Sequence, residues 1–184
     1  RVNVIGTYNV IEAALKLGIC YDSGDGVPAD LVRAAECYRI AAERQAPEAG
    51  GVWAQCLFVG KGVRQNVPEA MRLLEQAADK NDGIALHLLG LIYTEGRNGI
   101  PPDRARGIRY LRRAAATDLE IAKYSLALKL IEEPGTRQEA LALLRRAAEQ
   151  GRVPEAANQL GIIYESGNYI ERDFAVAECF FRSA

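Results

Sequence analysis

Histidine, methionine and tryptophan occur once each in these 184 residues, and cysteine four times. The residues one helical turn from His87 are Gly83, Ile84, Gly90 and Leu91, none of which could ligate a metal or relay a proton. His87 therefore reads as a structural or surface-lining residue. Cys20, Cys37, Cys56 and Cys179 form no CxxC pair, which argues against a zinc site. Free thiols buried as small hydrophobes fit better, and unpaired cysteines favour a reducing, cytoplasmic compartment. No run of 18 or more apolar residues exists, so no membrane-spanning helix is expected. With 23 basic against 24 acidic residues, bulk charge recommends neither nucleic acid nor a membrane surface as partner. Nucleophile elbow, phosphate loop and paired catalytic carboxylates are all missing, so no catalytic, cofactor-binding or metal residue is assigned and no enzyme is expected. The chain opens on Arg1 and stops within a helical pattern, which reads as a piece of something longer and leaves a signal peptide undecided.

What the chain has is self-similarity. Ala13, Leu17, Gly18, Tyr21, Gly24, Gly26, Val27, Asp30, Ala34, Tyr38, Ala41 and Ala42 describe a helix, a glycine turn and a second helix. The same types recur about 36 residues on, from Ala49 and Trp53 through Gly60, Gly62 and Asn66 to Ala77 and Ala78. A fixed period of that size is the mark of a stacked-repeat architecture. Each first helix carries one apolar stripe of 3.6-residue period, in which Ala and Gly let a neighbouring backbone approach. Asp30, Asn66, Asp103, Thr136 and Asp173 stand in register before the second helices, and all are good N-caps. Asn66 and Thr136 have Glu69 and Glu139 three residues on, the spacing of a capping box, as do Asn9 and Glu12, which predicts a first helix starting near Val10. Asn81 and Gly151 sit where a left-handed residue would end a helix. Unit four departs most, with EEPGT in place of the double-glycine connector. The units read as 11–46, 47–82, 83–118, 119–151 and 152–184 of a single domain, with 1–8 a tail or the end of a preceding unit.

The pattern A-x3-LG-x2-Y-x2-G-x-GV-x2-D-x3-A-x3-Y-x2-AA resembles the Sel-1-like repeat, a relative of the tetratricopeptide repeat, from Ile11 to Ala184. LGICYDSGDGV, LGLIYTEGRNGI and LGIIYESGNYI match best. The resemblance implies an all-α fold, a right-handed α-α superhelix of about five stacked helix–turn–helix units. It further implies a scaffold or adaptor for other proteins. If the helices stack as in tetratricopeptide proteins, first-helix positions −1, +2, +6 and +9 from the stripe alanine line a concave groove. Glu12, Leu15, Ile19 and Asp22 supply them in unit one, and Glu155, Asn158, Ile162 and Glu165 in unit five, leaving the groove acidic at its ends. Its middle is apolar, through Ile84 and Leu91 and then Ile121, Tyr124, Leu128 and Ile131.

Gln55, Phe58, His87, Leu91, Tyr124, Leu128 and Ile131 are accordingly the candidate groove residues for a partner peptide or helix. The plainer alternative is that they pack on the neighbouring helix. Arg104, Arg106, Arg109, Arg112 and Arg113 crowd one second helix, an outer basic patch for an acidic partner or phosphate groups unless it is only a solvated face. Some relatives stapled by cysteine pairs have been associated with peptidoglycan or β-lactam binding, but the staples are missing here. A secreted peptidoglycan- or β-lactam-binding protein or hydrolase of that cysteine-rich type is the alternative reading, and a passive spacer within a larger complex is a third.

Overall fold

A computed structural model describes residues 4–46, 49–117, 119–149 and 153–183, with backbone alone for 4–11. The described residues form ten α-helices and no strand: α1 Val4–Ser23, α2 Leu31–Glu43, α3 Ala49–Val59, α4 Val67–Asp79, α5 Gly83–Glu95, α6 Arg104–Ala115, α7 Glu120–Leu130, α8 Arg137–Glu149, α9 Pro154–Ser166 and α10 Phe174–Ser183. Consecutive helices pack on one another throughout, so each odd-numbered first helix lies between two second helices wherever both are present. First helices also touch across units, α3 on α5 and α5 on α7. Among the described residues no helix is long and apolar enough to cross a membrane.

Each repeated residue has a mechanical reason. The stripe alanines Ala49, Ala85, Ala122 and Ala156 are wholly buried, as are Leu74, Leu111 and Leu144 of the second helices. Each such leucine contributes about 1.5–3 kcal/mol of transfer free energy. A Cβ on Gly18, Gly90 or Gly161 would stand 2.7, 2.6 or 2.5 Å from Tyr38, Leu111 or Phe181, so a larger residue there would push apart the two helices of a unit.

Four of the five predicted caps hold. Asp30, Asn66, Asp103 and Asp173 accept backbone N–H groups of the first turn of the following helix at 2.9–3.2 Å. Their own N–H groups donate to the carbonyls of Tyr21, Leu57, Tyr93 and Tyr164 at 2.8, 2.9, 2.7 and 3.0 Å, pinning the start of each second helix to the end of the first. The capping box at Asn66 is therefore half formed. Its N–H is already used on Leu57, and Glu69 pairs with Arg72 instead.

Thr136 is the exception. In the shortened connector Pro134–Thr136 forms a 3-10 turn that runs straight into α8, and the Thr136 hydroxyl donates back to the Leu130 and Glu133 carbonyls. Helix α1 begins at Val4 rather than near Val10, placing Asn9 inside the helix. Asn81 takes the expected left-handed conformation (φ 65°), while Gly151 lies outside the described residues.

The stripe of α1 is only half used. Ala13 is exposed and Leu17 is 43 % exposed, whereas the equivalent Leu89, Leu126 and Leu160 are buried. In those units the first helix also packs on the second helix of the preceding unit, and no described helix precedes α1.

Candidate partner-binding face

The predicted residues stand at repeated positions of the first helices and are not all open. Counted from the stripe alanine, Ile19, Gln55, Leu91, Leu128 and Ile162 share one row. Ile19 and Ile162 are 52 % and 46 % exposed, Gln55 is exposed, and Leu91 and Leu128 are half-buried. Beside this row Ile121 is 37 % exposed.

Phe58 and Ile131 are withdrawn into the core at 5 % and 6 % exposure, contrary to their expected place on the face. Phe58 lies next to the end of α3, and Ile131 is the residue just past α7. The Asn98 amide of the next connector donates to the Phe58 carbonyl at 2.9 Å, and Ile131 joins the cluster of Leu126, Leu130 and Leu141.

His87 and Tyr124 sit in the second row. The His87 Nε2 and the Ser125 hydroxyl are 2.8 Å apart, a hydrogen bond linking α5 to α7. Burial alone pushes the imidazole pKa below its usual value, with no carboxylate contributing. A catalytic histidine is usually oriented by a third group, and none acts here. Tyr124 packs on the core, and its hydroxyl is pushed up by burial and then by the Glu155 carboxylate of the next first helix. A recess of about 810 Å³ lies elsewhere, among the turns between units, and none of the seven predicted residues lines it.

The arginine-rich helix α6 is less free than its sequence reads. Arg104 holds Glu133 and the Lys129 carbonyl of unit four, and Arg112 holds Glu139 of α8. Arg106 reaches Glu75 of α4, and Arg113 reaches the Ala78 carbonyl at its end. These side chains tie neighbouring units together.

Two features escaped the sequence reading. Asp82 caps α5 through Ile84 and Ala85 and also accepts the Gly51 N–H, joining three backbone groups. Glu120 and Lys123 form an ion pair at 9 % and 6 % exposure, in a place where α5 carries the buried Leu86. Their i,i+3 spacing is visible in sequence, but it suggests a solvated face. All four cysteines are free; Cys56 is buried as expected, but Cys179 is exposed on α10, against the expectation of buried thiols.

Comparison with known proteins agrees with this architecture. The Sel1 repeat model matches residues 11–45, 51–82, 83–116, 136–151 and 154–184. Helix α7 and the short connector after it fall between two matched segments, where the pattern is weakest. Protein SHC1 of Saccharomyces cerevisiae is 32 % identical over 175 residues, covering 88 % of this chain and 33 % of its own length. Chitin synthase regulatory factor 3 of Schizosaccharomyces pombe is 29 % identical over 172 residues, covering 88 % of this chain and 18 % of its own. The chain thus spans a third or less of these relatives. A Sel1 repeat protein from Oxalobacter formigenes superposes with a TM-score of 0.76 at 25 % identity, over 94 % of this chain and 71 % of that one. The uropathogenic Escherichia coli antigen c5321 shares the fold at TM-score 0.69 and 22 % identity, over 94 % and 37 %. With its repeat pattern, helix pairing and family match in agreement, the chain belongs to the Sel1 repeat family.

Proposed function

We propose that the array is a non-catalytic interaction module that takes an amphipathic helix or peptide of a partner protein across its first helices, within a protein that regulates chitin synthase, as the name of the Schizosaccharomyces pombe relative suggests. The observation that carries this reading is the row Leu91, Leu128 and Ile162 on α5, α7 and α9, widened by Ile121 and Tyr124. An apolar strip crossing successive units, with polar tips at Gln55, His87 and Asn158, suits the apolar face of a helix. The direct contacts between first helices support a stack that curves with these helices on its concave side. Acidic Glu155 stands beside the strip on α9, so a partner segment with a basic end is favoured.

Affinity capture with the isolated array, from extracts that contain chitin synthase, tests this. The double variant Tyr124→Glu/Leu128→Glu and the single variant Ile162→Glu should each lose the captured partner at least about tenfold, since exposed anchors in such strips carry over 1 kcal/mol each. Helicity and melting should stay near wild type for Ile162→Glu, whose side chain is already half in water. Capture that survives in all variants would place the partner elsewhere, and loss that comes only with unfolding would make these residues core.

A further inference from the structure

The stack uses four of the five α6 arginines to tie units together, and among the described residues Arg109 has no acceptor. Arg106, Arg109, Tyr110 and Arg113 lie at i, i+3, i+4 and i+7, on one face of the helix, and line a recess of about 230 Å³. Three guanidinium groups and a phenol line it, and Arg106 also holds the Glu75 carboxylate at 3.1 Å.

Two of the three cations are already held in place. The Arg106 guanidinium lies 4.1 Å from the centre of the Tyr93 ring and 5.8 Å from that of Tyr110. Arg113 spends one nitrogen on the Ala78 carbonyl at 2.7 Å and keeps its other donors. Side chains ordered before binding lose less entropy when a ligand arrives. Single members recur, Arg33 of α2 lying over Tyr21 as Arg106 lies over Tyr93 and Arg146 of α8 standing at the position of Arg113, but no other second helix carries the whole set. At the positions of Arg106, Arg109 and Tyr110, α8 carries Glu139, Ala142 and Leu143, and α10 carries Val176, Cys179 and Phe180.

We infer that this recess binds the phosphomonoester of a phosphorylated serine or threonine on a partner protein. Forked guanidinium donors match the tetrahedral oxygens of a phosphate, and the dianion answers the surplus positive charge left after Glu75. The surroundings select a compact anion over an extended one. Arg72 with Glu69, Arg104 with Glu133 and Arg112 with Glu139 are paired on the second helices α4, α6 and α8, and the whole chain carries a net charge of −1. A lipid bilayer would meet little attraction beyond the recess. The site lies on a second helix, and its occupation does not depend on the first-helix face.

The test follows the arginine Nε–Hε resonances in ¹⁵N NMR at constant ionic strength. The probes are an acetylated Gly-phosphoserine-Gly amide, its Gly-Glu-Gly counterpart, and vesicles containing a phosphatidylinositol phosphate. The phosphoserine peptide should shift the Arg109 resonance and saturate, with the glutamate peptide about tenfold weaker or worse. Arg109→Gln, which breaks no bond of the fold, should weaken phosphopeptide binding by about tenfold while the melting temperature is unchanged. Equal response to both peptides would reduce the site to charge screening, and wild-type binding by Arg109→Gln would remove it from the recess. Sedimentation with the vesicles in the absence of peptide binding would overturn the protein-partner assignment in favour of a membrane one.

Discussion

Substituting alanine at the second glycine of the connectors tests how units one and two are joined. Gly26, Gly62 and Gly99 all have positive φ, at 72°, 67° and 81°. Each therefore costs about 1–2 kcal/mol as alanine, because Cβ crowds the following carbonyl in that region. Beyond this shared term the three differ. A Cβ on Gly26 or Gly99 meets nothing within 4 Å, whereas on Gly62 it would lie 1.8 Å from the Leu31 carbonyl oxygen and 2.4 Å from its carbon. Leu31 opens α2, so the connector of unit two rests directly on the backbone of unit one. Relieving the overlap means separating two backbones, and overpacking of this kind costs roughly 1–3 kcal/mol, occasionally more. Gly62→Ala should thus be less stable than Gly26→Ala by about 2–3 kcal/mol, or roughly 4–12 °C in melting temperature for a chain of this size. Repeat arrays can unfold in stages, so a local probe is needed beside circular dichroism. Trp53, the sole tryptophan, packs against the clusters of both units and serves as that probe in a urea titration. Coincident curves for Gly62→Ala and Gly26→Ala would refute the argument, since the shared conformational cost cancels between them and only the contact with Leu31 distinguishes them.

Two further perturbations probe the joints and the face. Asp82→Ala removes the cap of α5, worth about 1 kcal/mol, and leaves the buried Gly51 N–H without its acceptor, worth about 1–3 kcal/mol more; urea midpoints should show the sum, with Asp82→Asn milder. The pH dependence of stability should report His87, the only histidine. Burial lowers its pKa in the folded chain, so as pH falls below about 6.5 the unfolded chain takes up a proton that the folded one resists. The stability linked to His87 is therefore complete above that pH and is lost progressively toward the lower folded value. Glu12, Glu69 and Glu95, whose pKa values are lowered by Lys16, Arg72 and Lys129 respectively, lose their contribution only below about 4.5. Urea titrations at pH 7.5 and 5.5 should show the loss in wild type and a flatter response in His87→Gln, and equal slopes in the two proteins would contradict the burial of His87.

The repeat was legible in the residues alone because its constraints are local. A glycine that must take positive φ, an aspartate that must meet two free N–H groups and an alanine stripe of helical period each act within a few positions of themselves. Asp30, Asn66, Asp103 and Asp173 could thus be placed as caps from spacing. The same logic misplaced Thr136, because the Pro134 connector turns the chain before the helix has a free end to cap. The binding face was harder to read, because exposure depends on what the neighbouring unit supplies. Phe58 and Ile131 have the same chemistry as Leu91 and Leu128, yet the first pair is taken into the core clusters between helices. Ile162, visible in sequence as one more row member, is among the more open apolar residues of the row.

From sequence follow the helix–turn–helix period, the all-α class and the family, each a matter of short-range sterics and hydrogen bonding repeated along the chain. Which side chains meet across units was decided by the stack. Tertiary packing sends Arg112 to Glu139 and Arg106 to Glu75, brings His87 within 2.8 Å of Ser125, and among the described residues leaves Arg109 without an acceptor. These pairs lie 27 to 38 residues apart, about one unit. Their geometry depends on the angle at which one helix pair is laid on the next, and no local rule in the sequence carries that angle.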